Sequence, residues 1–443
     1  MSHADSSISP LVTHRAIDRM PKGDTSVIIV LSNIISGVVS WALRVRDELK
    51  STSGYDVKLL CIGSSRKESP QFDVHLSTER DVELFLRESC PAIVIPNYRW
   101  WVFDVAAKLI SEGYDLKCIG YCRADNEKEY YAPLSHYAPV ISQFVSVSTK
   151  CSATLATQLP ARRAEMNVLP TGIIVPKSLN RKYQTQPIRL IYAGRVIQHQ
   201  KRVLDLIALV ALLRQAEMAF KLTIIGEGNE LELLRAVFSV DCYGDMIQFR
   251  NPIAPAAIAN ELIVNDVLVQ LSAFEGTSNI MLEAMAVGTV PCVTRTASGV
   301  DDVIQHGVNG WLSEVGNMNE LADVIQRLAS DRPALERAGM SAHGTATQFC
   351  IESHVLKLRN ILDRTRSSPT PIKSAQEFVK GHGGKTSQLR RTARTLKGRF
   401  SSVLDMSPRL LVRHLKDFVQ RRGAPSPEAT YLKPSKGIVE RDT

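Results

Sequence analysis

The sequence predicts an α/β protein made of two lobes, each a parallel β-sheet covered by helices on both faces. Its 443 residues, 44% of them apolar, provide enough chain for two or three globular domains. Short β-branched runs alternate with longer amphipathic stretches, which is typical of parallel strands joined by helices. The alternation stops after residue 148 and restarts near Ile188. This restart predicts two lobes, and a two-lobed protein is expected to bind ligands in the cleft between them.

The first lobe is expected over residues 26–175, after a leader of residues 1–25. Its expected strands are short apolar runs with little polar alternation, which indicates strands buried on both faces. These strands are residues 26–32, 56–63, 92–97, 117–122 and 144–148, and the helices of this lobe are expected over 37–50, 78–89 and 101–112.

The second lobe is expected over residues 176–348, and a hinge is expected at 169–187, which is rich in Pro, Thr, Gln and basic residues and lacks helical periodicity. The strands of this lobe are expected within 189–195, 221–228, 246–251, 266–272, 289–295 and 309–314. Its helices are expected over 203–215, 229–238, 255–263, 279–287, 300–306 and 318–330. A helix over 349–366 is expected to return and complete the first lobe.

The net charge of +9 is concentrated at the C-terminal end. Residues 364–443 hold 18 Lys and Arg against 6 Asp and Glu, and the preceding chain holds 36 against 39. We therefore expect a nearly neutral body and a basic, partly helical tail over 367–443. A helix capped by Ser407 and ended by Gly423 has apolar and basic faces, which favours an anionic membrane surface as a partner of residues 385–422. The alternative is that this helix packs on its own protein or is only partly ordered.

Other features of the composition narrow the classes of binding partner and the expected cellular location. Nucleic acid is not expected as a partner, because no module of interleaved aromatic and basic residues and no zinc finger occurs. No apolar run of about 18 residues and no signal peptide is present, which favours the cytoplasm, with a peripheral position on the inner face of the membrane as a further expectation. The eight cysteines contain no Cys-x-x-Cys pair, and they are expected to be reduced thiols.

The most informative segment is FEGTSNIMLEAMAVG, residues 274–288. A short polar loop leads from an expected strand into a helix that begins at Ser278, Asn279 and Ile280. The free N–H groups at such a helix start bind phosphate well. Glu275 and Glu283 lie eight positions apart, and carboxylates beside a phosphate are suited to holding sugar and ribose hydroxyls. The alternative is that Glu275 is a loop charge and Glu283 a solvated helix residue.

A second segment supplies positive charge to the same sheet edge. Gly194 and Arg195 follow an expected strand, and Lys201 comes shortly after them. Two cations at this place can neutralise a diphosphate leaving group without a metal ion. No Asp-x-Asp motif occurs, so metal ligands are not expected.

In these motifs the chain resembles the retaining glycosyltransferases of the GT-B fold, in the large nucleotide-sugar-dependent family four known as glycosyl transferases group 1. The resemblance covers most of residues 26–363 and is strongest over 188–331. The residues that carry it are Gly194, Arg195, Lys201, Gly226, Glu227, Gly228, Glu275, Gly276, Glu283, Ala284, Gly288 and the run Gly307, Val308, Asn309, Gly310, Trp311.

The resemblance implies a role for each matching residue. Arg195 and Lys201 would hold the donor diphosphate, Glu283 the ribose hydroxyls and Glu275 the transferred sugar. The main chain beside that sugar would be supplied by Gly276, Thr277, Ser278, Asn279 and Ile280. Gly37 matches the glycine that lets the first lobe approach the donor, although it would equally suit an ordinary helix start. A nucleoside-diphosphate sugar would be the co-substrate with no further cofactor, and the acceptor would be a glycan or a lipid-linked molecule.

One departure from the family concerns the acceptor side. Many relatives place a histidine after the strand that here ends at Cys122, whereas this chain continues with Arg123, Ala124, Asp125 and Asn126. Asp125 or Arg123 is expected to take that position. His136 is the nearest histidine, and it is better explained as a satisfied helix residue.

The resulting hypothesis is transfer of a sugar to an acceptor hydroxyl with retention, in polysaccharide, lipopolysaccharide or glycolipid biosynthesis. The alternatives are a nucleotide-sugar epimerase or hydrolase on the same fold, and a sugar-nucleotide-binding subunit without catalysis.

Overall fold

The structure is a computed structural model that describes residues 25–32, 36–52, 55–63, 71–183, 187–239, 243–296 and 299–382. The leader before residue 25 lies outside the described residues. So do the expected helix that begins at Ser407 and the proposed membrane-facing segment 385–422. The two-lobed α/β class expected from the sequence is confirmed.

The first lobe is built on a sheet of seven parallel strands in the order β3-β2-β1-β4-β5-β6-β7. The strands are β1 (Ser26–Leu31), β2 (Asp56–Ile62), β3 (Val74–Leu76), β4 (Ala92–Pro96), β5 (Leu116–Cys122), β6 (Ile141–Ser146) and β7 (Met166–Val168). Every residue of β1 is buried, because this central strand is covered on both faces. Its register pairs Ser26 with Asp56 of β2 and with Ala92 of β4, so the carboxyl ends of these strands reach one edge.

Helices cover the two faces of this sheet. The first-lobe helices are α1 (Gly37–Thr52), α2 (Glu79–Glu88), α3 (Trp101–Ser111), α4 (Ala132–His136) and α5 (Thr149–Gln158), with a π-helix at Glu127–Tyr131 before α4. Two helices return from the C-terminal side, α13 (Ile351–Ser367) and α14 (Ile372–His382). Leu358 and Leu362 of α13 share a core with Trp41 of α1, and Phe378 of α14 packs with Phe103 of α3. The chain thus ends its described part on the lobe where it began.

The second lobe is built on six parallel strands in the order β10-β9-β8-β11-β12-β13. The strands are β8 (Ile188–Ala193), β9 (Phe220–Ile225), β10 (Ile247–Arg250), β11 (Val267–Gln270), β12 (Val290–Thr294) and β13 (Trp311–Ser313). The helices are α6 (Gln198–Lys201), α7 (Asp205–Gln215), α8 (Leu231–Phe238), α9 (Ile258–Ile263), α10 (Asn279–Ala286), α11 (Met318–Ser330) and α12 (Arg332–Ala346). Leu206 of α7 and Ile325 of α11 pack on one face of the sheet, and Met285 of α10 packs on the other.

The prediction of a helix over 300–306 is wrong. This segment forms turns closed by the Asn309 side chain, which accepts from the Gln305 N–H at 2.8 Å and donates to the Val303 carbonyl at 3.0 Å. These bonds hold the segment in a turn, where a helix would need a continuing ladder of main-chain bonds.

The last residues of the connection between the lobes bind to the second lobe through side-chain hydrogen bonds. Arg181 donates to Thr289 Oγ1 at 2.9 Å and lies 3.4 Å from an Asp266 carboxylate oxygen. Tyr183 donates to the Gly288 carbonyl at 2.6 Å. The C-terminal part of the expected hinge is therefore held against the second lobe. No helix within the described ranges is long and apolar enough to cross a membrane.

Candidate active site between the two lobes

The carboxyl ends of the two sheets face each other, and the second-lobe loop before α10 lies against the first lobe. Thr277 Oγ1 donates to the Val147 carbonyl at 2.6 Å, and Asn279 Nδ2 donates to the Gly37 carbonyl at 2.7 Å. Near the same face, the Thr149 hydroxyl donates to the Asp302 carboxylate at 2.8 Å. These bonds bring the expected donor loop and the start of α1 together.

Two glycines make this close approach of the lobes possible. A Cβ on Gly276 would lie 2.1 Å from the Arg123 carbonyl oxygen, which is far inside contact distance. A Cβ on Gly37 would lie 2.7 Å from Asn279 Nδ2. Two of the glycines expected at the site, Gly37 and Gly276, are thus explained by sterics at the lobe interface.

The cations expected to hold a diphosphate join one polar network. The Lys201 ammonium bonds to the Glu275 carboxylate, which also accepts from Ser272 Oγ at 2.7 Å. The Arg195 guanidinium donates to the Gln200 side-chain carbonyl. Gln200 Nε2 in turn donates to the Phe274 carbonyl at 3.2 Å, so the network reaches the loop that holds Glu275.

Gln200 is a member of this network that the sequence reasoning missed. It lies on the short helix α6 next to Lys201, and its main-chain carbonyl also accepts from the Ala273 N–H at 2.8 Å. The available signal was its position next to Lys201. A glutamine between two basic residues does not, however, match a known sequence motif.

The start of α10 keeps its N–H groups free of a side-chain cap. Ser278 occupies the N-cap position, yet its hydroxyl donates to Gln270 Oε1 at 2.7 Å. Because the capping residue turns toward the strand, the first-turn N–H groups remain available to an anion. Ile280 follows in this turn and is half-buried.

Glu283, expected to hold ribose hydroxyls, pairs with a first-lobe arginine. Its Oε1 lies 2.6 Å from Arg44 Nη1, and the two side chains are 14% and 13% exposed. Burial raises the pKa of Glu283, and Arg44 partly opposes this rise. Arg44 was missed because 239 positions separate the pair and no local pattern announces it.

The side chains of Asp125 and Arg123, expected in place of the family's histidine, point in different directions. The Asp125 N–H donates to the Glu275 carbonyl at 3.4 Å, and the Asp125 carboxylate accepts from the Tyr131 hydroxyl at 2.7 Å. Arg123 Nε donates to Asn97 Oδ1 at 2.7 Å, within the first lobe. His136 stacks edge-on against Phe378, with centroids 5.3 Å apart. Asp125 thus lies beside the Glu275 loop, and His136 packs against α14.

No group of three or more His, Cys, Asp or Glu in the described part of the chain is arranged to hold a metal ion. The charged side chains at the cleft include the cations Arg44, Arg195 and Lys201 and the carboxylates Glu275 and Glu283, with amide and hydroxyl partners. This set suits a phosphorylated ligand that also carries hydroxyl groups.

Two parallel-sheet lobes that face each other at their strand ends, with cations and a helix start on one side, define the GT-B class of fold. A search of solved structures agrees. TarM of S. aureus, solved in complex with Fondaparinux, alpha-GlcNAc-glycerol and UDP, superposes with a TM-score of 0.63 at 11% identity. The match covers 78% of this chain and 100% of TarM. The expected GT-B fold is confirmed.

The second lobe also matches a family model. Residues 187–331 match the family model "Glycosyl transferases group 1", so this lobe carries a domain of that family. N-acetyl-alpha-D-glucosaminyl L-malate synthase of Bacillus anthracis is 32% identical over 36% of this chain and 42% of its own length. Amylovoran biosynthesis glycosyltransferase AmsK of Erwinia amylovora is 29% identical over 47% and 53%. The chain therefore spans about half, or less, of the length of these relatives.

Proposed function

We propose that the protein is a retaining glycosyltransferase that moves a sugar from a nucleoside diphosphate to an acceptor hydroxyl. The observation that carries the proposal is the network of Arg195, Gln200, Lys201 and Glu275 beside the uncapped start of α10, pressed against the first lobe. Two cations and the free N–H groups of α10 lie together there with a carboxylate beside them, which supports the binding of a diphosphate leaving group.

The donor diphosphate binds between Arg195, Lys201 and the first turn of α10. Lys201 is then shared between Glu275 and the phosphate, so Glu275 stays positioned for the hydroxyls of the sugar. As the bond between the anomeric carbon and the phosphate oxygen breaks, negative charge grows on the diphosphate. The cations and the helix start stabilise that charge more in the transition state than in the ground state, which accelerates transfer.

The acceptor hydroxyl attacks the same face that the diphosphate leaves. Its oxygen forms the new bond to the anomeric carbon, and its proton passes to the departing phosphate oxygen. The configuration is retained because attack and departure share one face. No metal ion enters this account.

The names of the relatives support a role in polysaccharide, lipopolysaccharide or glycolipid biosynthesis, since one of them is named for amylovoran biosynthesis. The TarM structure contains UDP, which makes a uridine nucleotide the first donor to test. We propose that the protein acts in the cytoplasm, on a glycan or lipid-linked acceptor, with residues 385–422 contacting an anionic membrane.

The test is donor binding and turnover in matched lysine variants. UDP, UDP-glucose, UDP-galactose, UDP-N-acetylglucosamine and GDP-mannose are screened by thermal shift, and turnover is then followed with the stabilising donor. Lys201→Ala should lower turnover about 100-fold, on the scale of one lost transition-state contact. Lys221→Ala, on an exposed position of β9, is the control and should leave turnover unchanged. No stabilising nucleotide, or equal turnover in the two variants, would contradict the proposal.

A further inference from the structure

Arg123 lies at the carboxyl end of β5 with its guanidinium enclosed by aromatic rings. Its Cζ lies 4.0 Å from the ring centroid of Trp41 and 4.2 Å from that of Tyr121. Nε donates to Asn97 Oδ1, whereas Nη2 is buried and has no hydrogen-bond partner. Burial lowers the pKa of Arg123, so the enclosed charge is unfavourable as it stands.

A second donor without a partner lies beside it. Tyr121 is 3% exposed, and its hydroxyl makes no hydrogen bond in the structure. Since the guanidinium lies over the Tyr121 ring, this hydroxyl is adjacent to the same space. A buried polar group without a partner destabilises the folded state, so two such groups side by side need a reason.

A cavity lies next to Asn97, the residue that accepts from Arg123 Nε. Asn97 and Tyr98 follow β4 and line this cavity together with Leu31, Ser32 and Ser36. Tyr98 is 46% exposed, and its backbone has a φ of 56°, which is unusual for a residue other than glycine. Its ring lies 5.6 Å from that of Tyr130. A strained residue thus presents a half-exposed aromatic ring at this cavity.

The chemistry of these two hydrogen-bond donors, the Arg123 guanidinium and the Tyr121 hydroxyl, indicates which group would satisfy them. Arginine and a phenol hydroxyl donate hydrogen bonds, and the arginine also carries a positive charge. Among the described residues, no ion pair involves Arg123. A carboxylate or phosphate group supplies both the acceptor oxygens and the missing negative charge, whereas a neutral sugar hydroxyl supplies no charge.

The direction of the side chain assigns this group to the acceptor. Arg123 touches the donor loop through its main-chain carbonyl, close to Gly276. Its guanidinium instead extends into the first lobe, toward α1 and the end of β4. The cations proposed for the donor diphosphate, Arg195 and Lys201, belong to the second lobe.

We propose that Arg123 and Tyr121 form a subsite for an oxyanion, a carboxylate or phosphate carried by the acceptor, with the Tyr98 ring as its outer wall. The proposal rests on the proposed function, because it assigns one substrate of that transfer. It predicts that the acceptor is acidic, for example a glycan ending in a uronic acid or in a phosphate-bearing unit.

The test compares charged and neutral probes on the full chain by isothermal titration, with UDP present. Methyl α-D-glucuronide is paired with methyl α-D-glucoside, and glycerol 3-phosphate with glycerol. We expect one acidic probe to bind about tenfold or more tightly than its neutral partner, the scale of a hydrogen bond to a charged group. Arg123→Gln should remove this difference. Arg87→Gln is the control, because Arg87 also lies over an aromatic ring, Tyr114, but has its partners on the first-lobe surface.

Tyr121→Phe keeps the test decisive if Arg123→Gln fails to fold. It deletes only the hydroxyl without a partner, so the melting temperature should stay unchanged or rise. Affinity for the acidic probe should fall roughly fivefold to tenfold, as expected for one hydrogen bond to an anion. Unchanged affinity in Tyr121→Phe, or equal binding of acidic and neutral probes by the wild type, would overturn the subsite.

A further arm separates the acceptor from the donor sugar as the source of the oxyanion. If the oxyanion belongs to the acceptor, the substitution Arg123→Gln should change the affinities for UDP-glucuronate and UDP-glucose by the same factor. A selective loss for UDP-glucuronate would assign it to the donor and overturn the acceptor subsite. UDP binding by the wild type without any preference for the acidic probes defeats the subsite alone, whereas failure of every nucleotide to bind defeats the proposed function.

Discussion

The ion pair between Arg44 and Glu283 links the lobes, and replacing Arg44 by Met tests its contribution to stability. Methionine keeps much of the packing volume and removes the charge. The variant leaves the Glu283 carboxylate in a site where burial already raises its pKa. We expect the second lobe and its contact with the first to become less stable.

The magnitude follows from the burial of the pair. Breaking a buried ion pair from one side costs about 3–5 kcal/mol. These side chains are 13% and 14% exposed, and Arg44 Nε and Nη2 have no hydrogen-bond partners, so part of that cost is already present. We therefore expect a loss of about 1–3 kcal/mol, or a fall in melting temperature of roughly 2–10 °C.

The loss should depend on pH with a defined sign. A carboxyl whose folded pKa is raised destabilises the fold while it is ionised, and this penalty disappears as the pH falls through the folded pKa. The deficit of Arg44→Met, measured by differential scanning fluorimetry, should thus be larger at pH 8 than at pH 5. Adding Glu283→Gln should restore most of the stability, since the unpaired charge is then gone. A loss of stability that does not change with pH and is not reduced in the double variant would refute this reasoning.

Two further predictions concern the interface and a buried histidine. Gly276→Ala should reduce turnover roughly tenfold or more, because its Cβ would meet the Arg123 carbonyl at 2.1 Å and misplace the donor loop. Gly344→Ala in α12, where nothing lies within 4 Å, should leave turnover intact, and equal losses would contradict the steric argument. His354 accepts from Trp41 Nε1 at 2.9 Å, and burial lowers its pKa to about 4. Because the unfolded imidazole takes up a proton first, stability should decline as pH falls from about 6.5 toward 4, by up to about 3 kcal/mol. Thermal melts of His354→Gln should lose this component, and an NMR titration that shows protonation near pH 6.5 would disprove the shift.

The strands were predictable from the sequence because parallel strands buried on both faces are continuous apolar runs. β1 and β4 are such runs, and their observed bounds differ from the expected ones by one residue. Periodicity failed where a side chain just beyond the segment decides the conformation, as Asn309 does for the turns after Val300. It also missed α12, whose pattern is interrupted by Pro333, Gly339 and Gly344.

The donor-side residues could be predicted because they lie within short motifs, and a short motif can be recognised in a single sequence. Their partners were not recognisable. Arg44 meets Glu283 only because α1 starts at the lobe interface, and Gln200 is defined by a loop 74 positions away. Arg123 was considered as a replacement for histidine, but its enclosure by Trp41 and Tyr121 depends on the packing of α1 on the first sheet.

The most direct test of the central claim is the anomeric configuration of the first product. The full chain is incubated with the donor identified by thermal shift and with an acidic acceptor, and the new anomeric proton is followed by NMR from the earliest turnovers. The account predicts a glycoside with the same anomeric configuration as the donor, and a strong loss of its formation in Lys201→Ala. An inverted glycoside would contradict retention, and free sugar or an epimerised nucleotide sugar formed without acceptor would contradict glycosyl transfer itself.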